Sequence, residues 1–158
     1  MKKILFLLAA LAVISHAQNK VNGKHNFGFG GFLTTGNQHE FLGASARYML
    51  EQTYGVEAVL VIPDNGFSAN LRFNGYFNDV IRFPKGKLPL IAGGGGGFAG
   101  WDGGSSMKLL GSFGAAYELK EPVDLFLLLD PTYEIALSGN AETKLFVTMK
   151  LGARYFFF

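Results

Sequence analysis

From Phe27 to the end of the chain, apolar residues recur at every second position in short segments, and this period of two admits strands and excludes amphipathic helices. The pattern is clearest where Phe67, Ala69, Leu71, Phe73 and Phe77 interleave with Ser68, Asn70, Arg72 and Asn74. Three such segments precede it, built on Phe27 to Leu33, Leu42 to Tyr48 and Val56 to Ile62, and four follow, at about Leu88 to Phe98, Lys108 to Leu119, Leu125 to Glu134 and Lys144 to Phe157. Turn chemistry separates them at Thr35-Gly36-Asn37, Pro63-Asp64-Asn65-Gly66, Asp102-Gly103-Gly104-Ser105 and Ser138-Gly139-Asn140. The expectation is one all-β domain of eight antiparallel strands in up-and-down order. The longest connection, Asn78 to Lys87, is basic through Arg82, Lys85 and Lys87 and reads as a solvated turn.

The segment ahead of the strands has a different character. Lys2 and Lys3 precede an uninterrupted apolar run from Ile4 to Ile14, followed by Ser15-His16-Ala17 with small residues at the first and third places. These are the three parts of a secretory signal, so residues 1–17 read as a signal peptide and residues 18–158 as the exported domain. The apolar run is far shorter than the roughly 20 residues that a spanning helix needs. With no cysteine, disulfide scaffolds and thiolate chemistry are excluded. The formal charge of +2 is contributed by Lys2 and Lys3, so the exported domain is neutral and suggests no nucleic-acid partner. Only 16% of residues are charged. An exported chain this apolar, with no spanning helix, places its apolar surface either in a core or against lipid as strands.

The two faces of the strands choose between these. One face lacks charge over most strands, while the other carries Arg47, Arg72, Lys150 and Arg154 with Glu57, Glu118, Asp130 and Glu134. Four charges of each sign suit a narrow lumen in which they pair. Tyr48, Phe77, Tyr117, Tyr155 and Phe157 fall at the ends of even-numbered strands, which share one side of an up-and-down barrel, and so form an aromatic girdle; Phe67, Trp101 and Tyr133 fall toward the opposite rim. Closure is obligatory in such a setting, because hydrocarbon offers no partner to an unpaired amide. The fold expected is an eight-stranded antiparallel transmembrane β-barrel with an apolar exterior and a charged lumen.

The C-terminal run Lys150-Leu151-Gly152-Ala153-Arg154-Tyr155-Phe156-Phe157 resembles the assembly signal of bacterial outer-membrane proteins, with Lys150, Gly152, Tyr155 and Phe157 at the signal positions. One departure is that the chain continues to Phe158. As a whole, the exported domain resembles small eight-stranded barrels of the OmpA/OmpX type. That resemblance implies the outer membrane of a Gram-negative bacterium, contact with its lipids, delivery by periplasmic chaperones and insertion by the barrel-assembly machinery. A monomer is expected.

Other motifs carry less. Gly95, Gly97 and Gly100 have the spacing of a dinucleotide fingerprint, but no helix follows to cradle a phosphate. The run Gly93 to Gly97 instead reads as strand glycine that makes room for bulky neighbours. His25 and His39 lack metal spacing, and His39, Asp64, Ser68, Ser105 and Ser106 have no spacing that links them into a catalytic group. The expectation is therefore a non-enzymatic protein without cofactor or metal, serving envelope structure or a modest surface or lipid interaction. Two alternatives stay open: a narrow solute conduit, and a soluble periplasmic lipocalin-like binder of apolar ligands with the faces reversed.

Overall fold

A computed structural model describes residues 27–36, 39–51, 53–77, 81–83, 86–118 and 123–157. The signal-peptide reading of residues 1–17 and His25 lie outside the described residues. Eight long strands form the wall: β1 (Phe27–Gly36), β2 (His39–Met49), β3 (Tyr54–Val61), β4 (Gly66–Phe77), β7 (Leu90–Trp101), β8 (Gly104–Glu118), β9 (Val123–Gly139) and β10 (Lys144–Phe157). Each pairs antiparallel with its neighbour along the chain, and β1 pairs with β10 from Phe27↔Phe157 to Thr35↔Met149, which closes the ring. The eight strands and their up-and-down order are those that the alternation predicts.

The connection read as a plain turn is more ordered than that. Arg82–Phe83 and Gly86–Lys87 form two-residue strands, β5 and β6, and Lys87 pairs with Glu118 of β8. This small hairpin extends the wall beyond the long strands at the end that holds Phe27 and Phe157.

Burial alternates along most of the long strands, the glycine-rich β7 being the exception, and it assigns the faces. Outward stand Leu42 and Leu145, each 73% exposed, with Leu33, Leu71, Phe73, Phe113, Leu127 and Leu151. Inward and buried are Arg47, Glu57, Arg72, Asp124, Asp130, Lys150 and Arg154. A soluble barrel would show the reverse, because exposing such a continuous apolar belt to water would forfeit roughly 25 cal/mol for each Å² left unburied. The inner face is not purely polar. Phe32, Val59, Val61, Tyr76, Ile91, Phe126 and Leu128 are buried there, with the Phe32 and Phe126 rings edge to face at 6.3 Å.

Glycines decide how the interior fits. A side chain on Gly95 would collide with the Leu71 carbonyl and come within 2.8 Å of the Arg72 Cα, and one on Gly93 or Gly97 would strike Asn74 or Asn70. On β1, a side chain on Gly30 would run into Arg154. So the inward glycines of β7 and β1 lie beside the strands that carry the large polar side chains, β4 and β10, as the glycine run suggests. A strand proline also needs accommodation: Pro131 has no amide to donate, no bridge partners it on the β8 side, and its ring lies 3.2 Å from where a Cβ on Gly111 would stand.

At the far end β8 and β9 run longest. A bulge there gives Ser105↔Ser138 and Ser106↔Ala136, leaving Leu137 as the extra residue, and Gly139 turns the chain at φ 68°. Two neighbouring glycines give a direct test of the packing. Gly30→Ala should destabilise the barrel by about 1–3 kcal/mol through overpacking, whereas Gly31→Ala, facing outward with its nearest neighbour at 3.8 Å, should change stability little. Urea unfolding of both variants in micelles, followed by strand circular dichroism, checks the difference.

Candidate functional site

Seven buried charges alternate in sign along one connected chain inside the barrel. Arg47 of β2 reaches Asp124 of β9 at 3.2 Å, and Asp124 also takes Arg154 Nε of β10 at 3.2 Å. Arg154 Nη1 donates to Glu57 of β3 at 2.8 Å, and the other Glu57 oxygen lies 3.6 Å from Arg72 of β4. Arg72 Nη1 donates to Asp130 at 2.8 Å, and Asp130 receives Lys150 Nζ at 2.6 Å. Four cations and three carboxylates therefore join β2, β3, β4, β9 and β10.

Neutral donors complete the shell. Ser112 Oγ donates to Asp130 at 2.9 Å, and Asn74 Nδ2 to Glu57 at 3.1 Å. Aromatic rings cover three of the four cations: Arg154 Cζ lies 4.0 Å from the Phe126 ring centre, Arg47 Cζ lies 4.5 Å from that of Tyr76, and Lys150 Nζ stands 5.4 Å from that of Phe32. The apolar residues on the inner face thus act as walls for the cations. Burying an ion costs several kcal/mol, and close pairing with hydrogen bonds to the remaining atoms offsets that cost. Some polar atoms still lack a protein partner, among them Arg47 Nε and Nη2, Arg72 Nε, Asn70 Oδ1 and Tyr76 Oη. Buried groups of this kind are normally met by internal water.

The structure brings six of the eight charges singled out in the sequence into this chain: Arg47, Glu57, Arg72, Asp130, Lys150 and Arg154. Glu134 lies nearer the far end, where it accepts from Ser106 Oγ and is 3.9 Å from Lys144. Glu118 is half-buried at the end of β8, and among the described residues no ion pair reaches it. Asp124, which the sequence reading missed, stands opposite Glu118 and pairs with Arg47 and Arg154. Its signal was available, since Asp124, Phe126, Leu128 and Asp130 share one phase of β9.

Tyr48, Phe77, Tyr155 and Phe157 stand exposed on the outer face at the end with the termini, and Tyr155 and Phe157 pack edge to face at 5.0 Å. Tyr117 is half-buried at the same end. Trp101 differs from its expected place: it pairs with Gly66 in the inward phase, so it stands at the barrel mouth rather than on the outer belt. Within the terminal segment, Lys150 belongs to the charge chain, and Gly152 lies where a side chain would meet Phe126 and Phe32 at 2.6 Å.

Of the residues weighed as a catalytic group, Ser68 and Ser106 flank the cross-strand pair Lys108–Glu134 inside the barrel, and the others lie apart from them or outside the described side chains. Ser68 accepts from Lys108 inside the barrel, Ser106 bonds Glu134, Ser105 bonds Ser138, and Asp64 lies in an exposed turn; the His39 side chain lies outside the described residues. Among the described residues no three His, Asp or Glu side chains form a group able to hold a metal.

The chain's arithmetic predicts unequal mutants. Asp130→Ala would leave Lys150 without its ion-pair partner and Arg72 with Glu57 alone at 3.6 Å, and should cost about 3–5 kcal/mol. Glu134→Gln should cost less, about 1 kcal/mol, because it keeps an acceptor for Ser106, Lys144 is exposed, and Lys108 opposite it keeps its bond to Ser68. Equilibrium unfolding in urea measures both.

No family model and no curated protein matches this sequence. Two solved structures share its architecture. The N-terminal β-barrel domain of Pseudomonas aeruginosa OprF superposes with a TM-score of 0.60 at 17% identity, covering 86% of this chain and 100% of that one. Neisserial surface protein A (NspA) superposes with a TM-score of 0.55 at 15% identity, covering 83% of this chain and 96% of that one. In fold, then, this chain is similar to eight-stranded outer-membrane barrels: an all-β, closed, antiparallel barrel with its charges inside.

Proposed function

We propose that the protein is an integral outer-membrane barrel with a non-enzymatic role in the cell envelope, its lumen closed by the charge chain. The observation that carries this reading is the inversion of polarity, an uncharged apolar belt outside and seven connected charges inside. Eight strands enclose a space that side chains can fill, and here guanidinium groups, their carboxylates and the rings of Phe32, Phe126 and Tyr76 occupy it. On this reading Leu42, Leu71 and Leu145 meet lipid tails, the aromatic residues at the terminal end mark one interface, and residues 150–157 present the assembly signal to the insertion machinery. Residues 1–17 would be removed on export.

The soluble-binder reading loses its support in the same inversion, since the face that would hold an apolar ligand carries the ions. A conduit needs an open path, which the paired charges obstruct. The test uses the protein from outer-membrane fractions. It should resist a high-pH carbonate wash and migrate differently on detergent gels before and after boiling. In planar bilayers wild type should show no porin-sized conductance, and Arg72→Ala should lower the melting temperature without opening such a pore. Release by the wash would overturn the membrane assignment, and a large conductance in wild type would overturn the closed lumen.

A further inference from the structure

The buried charge chain carries one more cation than carboxylates, and its neighbours do not restore the balance. Lys108 stands opposite Glu134 toward the far end, and Lys87 stands opposite Glu118 at the terminal end, so each of these carboxylates faces a cation of its own. One positive charge is therefore left over among Arg47, Arg72, Lys150 and Arg154, whose side chains are at most 6% exposed. A buried ion without a counter-charge costs several kcal/mol.

Hydrogen bonding shows where the excess lies. Arg72 and Arg154 each meet two carboxylates, and Lys150 holds Asp130 at 2.6 Å, whereas Arg47 meets Asp124 alone. That 3.2 Å contact is made by Nη1, and Asp124 Oδ2 accepts no hydrogen bond across it. Arg47 Nε and Nη2 have no partner among the described residues, although both are cut off from solvent. These two nitrogens form one edge of the guanidinium, where two N–H bonds run parallel and grip an anion bidentately. The Tyr76 and Phe156 rings lie 4.5 and 5.4 Å from the same group, which leaves its edges for polar partners. Asp124 holds Arg154 beside Arg47, and Arg154 Nη2 is unpartnered as well.

Two kinds of occupant would meet such donors. Water supplies acceptors but no charge, and would leave the excess in place. An anion supplies both. Because the edge atoms are out of contact with solvent, the ion has to be about the size of the water it replaces, which excludes phosphate and organic anions. We propose that the lumen binds one small monoanion of the halide class on the Nε–Nη2 edge of Arg47, with Arg154 beside it. The ion completes the charge chain as its fourth anion. The inference rests on the closed lumen proposed above, which the conductance measurement tests separately.

An ion bound to the folded barrel and not to the unfolded chain is linked to stability. In urea unfolding, with sodium chloride replacing sodium gluconate at constant ionic strength, the folding constant of wild type should rise about tenfold for each tenfold rise in chloride above half-saturation. Arg47→Met removes both the edge and the excess charge and should show no such dependence. Arg47→Lys keeps the charge without the edge, and its half-saturation should move to about tenfold higher chloride or beyond. Crystals of the wild-type barrel grown in sodium bromide should show an anomalous peak on the Arg47 edge. The proposal is overturned if wild-type stability is the same in chloride and gluconate, if either variant responds as wild type does, or if the edge holds water while bromide lies only on the exterior.

Discussion

The ladder between β1 and β10 is the constraint on which the rest depends. A sheet whose outer face is a continuous apolar belt has no solvent there to satisfy a free edge, so every backbone amide along the wall needs a partner strand. Phe27↔Phe157 through Thr35↔Met149 supplies it. Once the ring closes, alternation does the remaining sorting: each residue points to the belt or to a narrow enclosed space, and a shift of one residue would exchange the two sets entirely. Charge on one phase and aliphatic side chains on the other thus fix the register as firmly as any turn.

Inside, volume and charge constrain each other. Arginine suits a crowded lumen because its planar head can bond two carboxylates and stack on a ring at once, as Arg154 does with Asp124, Glu57 and Phe126. Such side chains need space, and β1 and β7 yield it by carrying Gly30, Gly93, Gly95 and Gly97 beside them. The glycine run that resembles a nucleotide-binding motif in isolation is therefore the complement of the polar row on β4.

Much of this was legible from period and phase. Eight strands, their order, the direction of each face and six members of the charge chain follow from reading every second residue. What escaped has specific causes. Asp124 sits two residues from a proline-containing turn and so looks like loop, although the closed barrel makes it the shared partner of two arginines. Glu118 has the right phase and stands opposite Asp124, but the arginines that its phase suggested as partners bond Asp124 instead. Trp101 was placed by height alone, and only its pairing with Gly66 shows which way it faces. The β5–β6 hairpin depends on a single backbone pairing to β8 that no local pattern announces. Strand periodicity encodes local geometry; which charges meet across a barrel depends on stagger, which the sequence expresses only through all eight registers together.

The charge chain also bears on how the barrel can assemble. Its links join residues far apart in sequence, Glu57 with Arg154 at a separation of 97 and Arg72 with Asp130 at 58. No single hairpin contains the whole chain: β2, β3 and β4 bring Arg47 and Arg72 to the two sides of Glu57, β9 and β10 bring Asp124 to Arg154 and Asp130 to Lys150, and the links Arg47–Asp124, Glu57–Arg154 and Arg72–Asp130 form only where these two sets of strands meet. Either set alone leaves three of the cross-barrel links unmade and amides unpaired along its edge, so the meeting of the two sets completes the charges and the backbone together. Contacts separated by 58 to 97 residues carry a larger loop-closure cost than those inside a hairpin, so the charge chain ties the late-forming part of the wall to the early-forming part.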